Sequence, residues 1–182
     1  KSEKEIKIAI VDKYVDIGDY NLADSYISIN QALVHAGAQL TTKVDVHWLD
    51  SKAFEKDEKS ARKLKEFDGI IIPGGFGSSG VEGKIKAIKF ARENNIPFLG
   101  LCYGMQLGVV GFARDELGWI DANTTENNKA TKHPVIHLMP KQKEFMEKRA
   151  YGGTMRLGSW DAIVKKGTRA FEIYQQAGSF AS

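Results

Sequence analysis

Apolar positions along the chain fall into short runs separated by longer stretches with a different period. Ile6-Lys7-Ile8-Ala9-Ile10-Val11 is rich in β-branched residues and stops at Asp12-Lys13, which predicts a buried strand. Asp24 or Ser25 is then placed to cap a helix carrying Tyr26, Ile29, Leu33 and Val34, and Gly37 suits a left-handed residue at its C-terminus. Val44 to Leu49 alternates as a second strand, and a highly charged helical segment follows from Ser51 to Phe67. Asp68-Gly69-Ile70-Ile71-Ile72-Pro73 is apolar throughout, as a central parallel strand is. Helical spacing returns from Gly83 to Asn94 through Ile85, Ile88 and Phe90, before a fourth strand from Ile96 to Leu101.

Strand and helix in alternation predict an α/β fold: a mostly parallel sheet with helices on both faces, because parallel strands need crossover connections. Sites in such sheets lie at the carboxyl ends of the strands. Beyond Asp121 the signal weakens, with strands expected over Pro134 to Pro140 and over Ala162-Ile163-Val164. No internal repeat, low-complexity tract or linker interrupts the pattern.

Composition narrows the function. At 182 residues and 42% hydrophobic content the chain is sized for one core and is expected to form a single domain. Its 26 basic and 23 acidic residues are interleaved, with a formal charge of +3 and no basic stripe carrying aromatics, so nucleic acid is not an expected partner. Lys1 to Lys7 is a charged run, and nothing reaches the roughly 18 apolar residues of a membrane span, so a soluble, cytoplasmic protein is expected. A single cysteine excludes an internal disulfide and leaves one thiol for chemistry.

That cysteine lies in Gly100-Leu101-Cys102-Tyr103-Gly104, between the fourth strand and a helical segment from Met105 to Ala113. The pattern is that of a nucleophile elbow, whose flanking glycines are required because side chains there would collide across the tight turn. A helix N-terminus also favours a thiolate, and the amide of Tyr103 is placed to bind an oxyanion. The plain alternative is a small buried hydrophobe, which most free cysteines are. Pro73-Gly74-Gly75-Phe76-Gly77-Ser78-Ser79-Gly80 lies at the end of the third strand and has neither P-loop nor dinucleotide-fingerprint spacing. Phosphate binding is its weaker reading, and a second oxyanion donor, the amide of Gly75, is the stronger.

At these residues the sequence resembles the triad-type class I glutamine amidotransferases, and among them the glutaminase domains of the CTP synthase family. The resemblance is carried by Pro73 to Gly77, Gly80-Val81-Glu82-Gly83-Lys84, Ala91 to Gly100, Cys102, Gly104-Met105-Gln106, Asp121 to Glu126 and Gly152 to Gly158, in that order. It implies the flavodoxin-like amidotransferase fold and hydrolysis of L-glutamine to glutamate and ammonia through a γ-glutamyl thioester on Cys102. It also implies a substrate site formed by Gly75, Phe76, Tyr103, Gly104, Met105, Gln106 and Glu126, with the Glu126 carboxylate suited to an amino-acid ammonium. In that family the ammonia passes to a synthetase domain that aminates UTP to CTP with ATP and magnesium, and the full-length enzyme is expected to form homo-oligomers. Ser78 to Gly83 resembles the lid that the family couples to activation by GTP; the alternative is a surface loop with Glu82 in solvent.

Two departures accompany the resemblance. The family places its catalytic His-Pro-Glu motif after the Gly152 to Gly158 block, and none occurs in this sequence. Of the four histidines, His35, His47, His133 and His137, none matches the catalytic position, and His133 and His137 straddle Pro134 without an acidic third ligand, so no metal site is expected. The expectation is therefore a domain incomplete at its C-terminal end, without the synthetase domain, holding nucleophile and oxyanion hole but not their base. Asp12 stands where the family has glycine, and Val15 to Leu22 is longer than the family's loop. Two other functions stay open: a noncatalytic regulatory or assembly module, and a hydrolase of γ-glutamyl peptides, which the Gly152 to Gly158 block disfavours.

Overall fold

β-branched, apolar sequence forms strands where expected: β1 (Lys4–Asp12), β2 (Thr42–Asp50), β3 (Gly69–Ile72) and β4 (Phe98–Gly100). They lie in the order β2-β1-β3-β4 and every pair is parallel. The computed structural model describes residues 4–13, 26–56, 58–75, 78–139 and 161–176. Two units divide the chain, Lys1–Leu138 and Met139–Ser182.

Helices cover both faces of the sheet, and the period of two along β1 shows how. Ala9 and Val11 point into a core with Ile70 and Ile72 of β3, joined by side chains from α2 (Ser51–Lys56), the 3-10 segment Glu58–Glu66, α3 (Val81–Glu93) and α4 (Tyr103–Glu116). The register Ile8↔Val46 puts the opposite set of positions on the other face, where α1 (Ile27–Gln39) packs Leu33 and Val34 over Val44 and Val46. This is the parallel sheet with helices on both faces that the alternation predicted, in the flavodoxin-like order that the resemblance implied. A small parallel pair, β5 (Asn123–Thr124) and β6 (Pro134–Ile136), follows α4 and packs against it. Among the described residues no helix is long and apolar enough to cross a membrane.

Where structure and expectation part, the cause is packing. Gly37 lies inside α1 rather than at a left-handed end; a Cβ there would stand 2.6 Å from the Thr42 carbonyl oxygen, so glycine lets the helix approach β2. The charged stretch from Ser51 is not one helix: its second part winds as a 3-10 segment, in which residues three apart align, and Ala61 and Leu64 are both buried. Asp12 does not stop β1 but completes it, 1% exposed. The strand from Pro134 ends at Ile136. Asp24, Ser25 and the Val15 to Leu22 loop lie outside the described residues.

In the second unit the expected strand at Ala162-Ile163-Val164 is absent, with Ile163 wholly exposed and no described strand to pair with. Instead Thr168, whose Oγ1 accepts the Phe171 N–H at 3.2 Å, opens a helix the apolar pattern did not announce, α5 (Arg169–Gln176).

One helix contact sets the elbow. Tyr103, Leu107, Val110 and Ala113 form the buried stripe of α4, and Gly104 beside it lies directly against the Ile72 carbonyl of β3. A methyl on Gly104 would overlap that carbonyl, and neither backbone can yield without moving the sheet. Gly104→Ala is expected to lower stability by about 3 kcal/mol, the upper part of the overpacking range. Chemical denaturation against the parent chain measures it, and a loss under about 1 kcal/mol would show that α4 is free to shift.

Candidate active site

Because the strands are parallel, their carboxyl ends share one edge of the sheet, and three chain segments meet there. From β1 comes Asp12, from β3 the Pro73-Gly74-Gly75 turn, and from β4 the Leu101-Cys102 turn into α4. Leu101 extends the β3 ladder through its N–H to the Ile72 carbonyl at 2.9 Å, and the backbone then reverses at Cys102.

Cys102 is exposed and adopts φ 53° and ψ −110°. Thr41 and Asn95 also have positive φ, but they follow the ends of α1 and α3, where a left-handed residue closes a helix. Cys102 instead precedes a helix, so the unusual geometry serves to stand the thiol off the sheet edge. The Gln106 N–H closes the first turn on the Cys102 carbonyl at 3.2 Å. Gly100 is required too: a Cβ there would lie 2.6 Å from the Met105 nitrogen and 2.7 Å from the Gly104 oxygen.

The glycine turn faces the cysteine. A Cβ on Gly74 would stand 3.4 Å from Cys102 Cβ and 3.8 Å from Sγ, so any larger residue would begin to fill the space over the thiol. Gly75, half-buried, has Lys84 Nζ behind it at 3.7 Å from the place of a Cβ. Phe76 and Gly77 lie outside the described residues.

One turn along α4, Gln106 lines a pocket of about 120 Å³ with Thr124, Thr125, Glu126, Ile136, His137 and Leu138. The structure therefore brings Gln106 and Glu126 together from separate elements. Their spacing is set by Tyr103, which is buried and whose hydroxyl accepts a hydrogen bond from Asn127 Nδ2 at 2.5 Å, pinning the Glu126 turn to α4. Burial pushes the Tyr103 hydroxyl pKa up, against the pull of Asn127. Thr124 Oγ1 accepts the Asn127 N–H at 3.1 Å and the Asn128 N–H bonds the Thr124 carbonyl at 3.0 Å, which shape the same turn. Met105 goes elsewhere: its side chain lines a separate apolar groove of about 530 Å³ with Phe98, Val109 and Phe112.

Residues 81–83 are not loop but the first turn of α3, entered through Gly80 at φ 76°. Val81 and Gly83 are buried, and Glu82, although more than half exposed, holds Arg114 of α4 through both oxygens at 3.0 and 2.8 Å. Only Ser78 to Gly80 remains as described loop ahead of it.

The histidines separate. His35 is exposed on α1, and His47 of β2 bonds Asp45 at 2.8 Å. His133 Nδ1 contacts Asp121 Oδ1 at 2.5 Å while its ring stacks on Trp119 at 5.0 Å, and the Trp119 N–H in turn bonds the Ala113 carbonyl in the last turn of α4, whereas Cys102 precedes the first. His137 alone lines the Gln106–Glu126 pocket. Among the described residues no cluster of three or more ligating side chains could hold a metal ion.

The His133 bond, followed by the Lys132 backbone N–H, holds the Asp121 carboxyl below its ordinary value of 3.8. A depressed carboxyl contributes stability that is complete above 3.8 and is lost as pH falls through the lower folded value. The Asp121 carboxylate is thus expected to hold the 121–133 turn with full effect above 3.8 and to lose that effect as pH falls below it. The Asp121 side-chain carboxyl carbon resonance in an NMR acid titration reports it, and a midpoint at or above 3.8 would contradict the assignment.

Lys84 and Tyr26 were not among the residues expected in the site. Lys84 appeared only as part of a sequence block, and no local pattern shows that a lysine in a helix's first turn is 2% exposed.

Three comparisons bear on family and fold. The class I glutamine amidotransferase family model matches residues 21–177. CTP synthase of Sulfolobus acidocaldarius is 53% identical over 171 residues, 94% of this chain and 31% of that protein, and CTP synthase of Methanocaldococcus jannaschii is 50% identical over 93% of this chain and 31% of that protein. A solved structure of the Trypanosoma brucei CTPS glutaminase domain with bound acivicin superposes with a TM-score of 0.81 at 37% identity, covering 94% of this chain and 62% of that one. The chain spans about a third of the length of the curated CTP synthases it matches. By sequence over most of its length and by fold, it belongs to the class I glutamine amidotransferase family.

Proposed function

We propose that this chain is the glutamine-hydrolysing part of a CTP synthase, with Cys102 as nucleophile. The observation that carries the reading is the exposed Cys102 at φ 53°, facing the Gly74-Gly75 turn, one helical turn from the pocket shared by Gln106 and Glu126. Glu126 pairs with the substrate ammonium and Gln106 bonds the amino-acid head, while the side-chain amide reaches back to the thiol. The Cys102 thiolate adds to the amide carbon, and its oxygen takes the negative charge between the backbone N–H groups of Gly75 and Tyr103. Collapse of the adduct breaks the carbon–nitrogen bond, ammonia leaves with an added proton, and the γ-glutamyl thioester is hydrolysed by water to glutamate and free thiol. Phe76 and Gly104 complete the assignment, Gly104 by seating α4 on β3, while Met105, whose side chain lines the separate groove, is left to contribute through its backbone alone.

A base must take the thiol proton and return one to ammonia. The family draws it from His-Pro-Glu, which does not occur in these 182 residues, so the reading assigns this chain the nucleophile, oxyanion and substrate-binding parts. The ammonia is used by a synthetase domain, with UTP, ATP and magnesium, in a cytoplasmic homo-oligomer that GTP activates.

Incubating the full-length polypeptide with a glutamine analogue bearing a chloroketone in place of the side-chain amide tests the reading. One adduct is expected, mapped by peptide mass to Cys102, suppressed by excess glutamine and lost in Cys102→Ser. An adduct insensitive to glutamine, or none while iodoacetamide still alkylates Cys102, would instead favour the noncatalytic module.

A further inference from the structure

The Gly74–Gly75 peptide is gripped from behind by groups that none of the expected site residues includes. Its carbonyl oxygen accepts from the Tyr26 hydroxyl at 3.2 Å. The same hydroxyl donates to Asp12 Oδ2, and the other oxygen of Asp12 lies 2.6 Å from Lys84 Nζ. Asp12 is 1% and Lys84 2% exposed, so this pair has left water entirely. A peptide is planar and trans, so the Gly74 C=O and the Gly75 N–H point in opposite directions. Holding the oxygen therefore aims the hydrogen.

We propose that Tyr26, Asp12 and Lys84 form a positioning relay that fixes the Gly74–Gly75 peptide plane and thereby aims the Gly75 N–H at the oxyanion formed over Cys102. The inference rests on the reading of Gly75 as an oxyanion donor. The hydroxyl has one proton and two acceptors, and the Asp12 carboxylate is the stronger of them. Lys84 offsets that imbalance by drawing on the carboxylate from the other side, and its ammonium also backs Gly75, 3.7 Å from the position a Cβ would take. Tyr26 is itself fixed by stacking on Trp48, ring centroids 5.6 Å apart, at the start of α1. Asp12 thus has a structural reason to differ from the family's glycine: it joins the N-terminal segment to the loop over the thiol. None of the three side chains is assigned contact with substrate, so they act through the peptide.

The test is Tyr26→Phe in the full-length polypeptide, which keeps the ring on Trp48 and deletes only the hydroxyl, with Asp12→Asn as a second variant. Labelling of Cys102 by the chloroketone glutamine analogue is resolved into a saturation constant and a maximal rate, beside alkylation by iodoacetamide, which needs no oxyanion donor. A maximal rate down about tenfold is expected, part of the ~10²–10³ that loss of a whole oxyanion donor costs. Saturation and iodoacetamide rate should stay within about twofold of the parent. An unchanged maximal rate in both variants would overturn the relay, and so would an equal fall in both reactions, which marks general disruption of the elbow. Failure of the unsubstituted protein to be labelled at Cys102 would remove the glutamine reading itself, an outcome distinct from a loss confined to the variants.

Discussion

Replacing Cys102 with glycine is expected to make the folded chain more stable while, on the proposed reading, abolishing glutamine hydrolysis by the full-length polypeptide. A side chain at φ 53°, ψ −110° is in a region that non-glycine residues enter only when the surroundings force them, at a cost of about 1–3 kcal/mol. Glycine removes that strain and gives back about 0.5–1 kcal/mol through greater freedom in the unfolded chain, leaving a net gain of about 1 kcal/mol. The cysteine is exposed, so little apolar burial is lost. For a domain of this size the gain corresponds to roughly 2–4 °C in melting temperature. On the proposed reading of Cys102 as nucleophile, its removal in the full-length polypeptide should lower glutaminase turnover at least ~10⁴-fold, since the nucleophile acts as a unit with the rest of the site. Cys102→Ala is the control: it loses the same activity but keeps a Cβ at the strained position, so it should show no comparable gain. A glycine variant no more stable than the alanine variant would mean that the backbone at Cys102 is relaxed.

The elbow was legible in the sequence because its requirements are local. A strand end, glycines at positions 100 and 104, and a helix start all fall within a few residues, and each is imposed by contacts the short segment makes with itself or with the adjacent β3. Strands β1 and β3 were legible for the same reason, as apolar runs suited to a buried parallel sheet, and β4 carries the same kind of run although its Phe98 and Leu99 are exposed. Gly37 was misread because its role is set by β2, not by the helix that contains it. The 3-10 segment was hidden in a charged stretch whose few apolar residues also suit an α-helix, and only their burial shows the tighter winding. Isolated apolar triplets such as Ala162-Ile163-Val164 carry too little pattern to separate a strand from exposed chain.

The site shows the same division. Cys102 and the glycine turn could be placed by motif, whereas Gln106 and Glu126 came from family resemblance, and their meeting in one pocket depends on the Tyr103–Asn127 bond between α4 and the following turn. Nothing short-range marks Lys84 or Tyr26 as neighbours of Asp12. Those contacts exist because parallel strands and crossover helices return distant segments to one edge of the sheet. Asp12 was noticed as a departure from the family, which was the only available sign that something different is built at that edge.

The Asp12–Lys84 pair also gives the largest stability effect expected from a single side chain. The ammonium lies 2.6 Å from Oδ1, but without hydrogen-bond alignment, so the pair is held by charge in a place water does not reach. Lys84→Met fills nearly the same volume and leaves the Asp12 carboxylate buried without its counter-charge. Breaking a buried pair in this way costs about 3–5 kcal/mol, because the remaining charge keeps its desolvation penalty with nothing to offset it. Removing both charges is a different matter: Asp12→Asn with Lys84→Met is expected to fall within about 1 kcal/mol of the parent or above it, since desolvation cancels much of what a buried pair gains. Urea midpoints at unchanged slope measure the three proteins on one scale. If the double variant is as unstable as the single one, packing at Lys84 and not its charge holds α3 against β1. If the single variant loses little, Asp12 has access to solvent or another cation. A stable double variant with impaired labelling by the glutamine analogue would separate the two roles of the pair, since the charges would then be dispensable for folding and needed only to aim the peptide over Cys102.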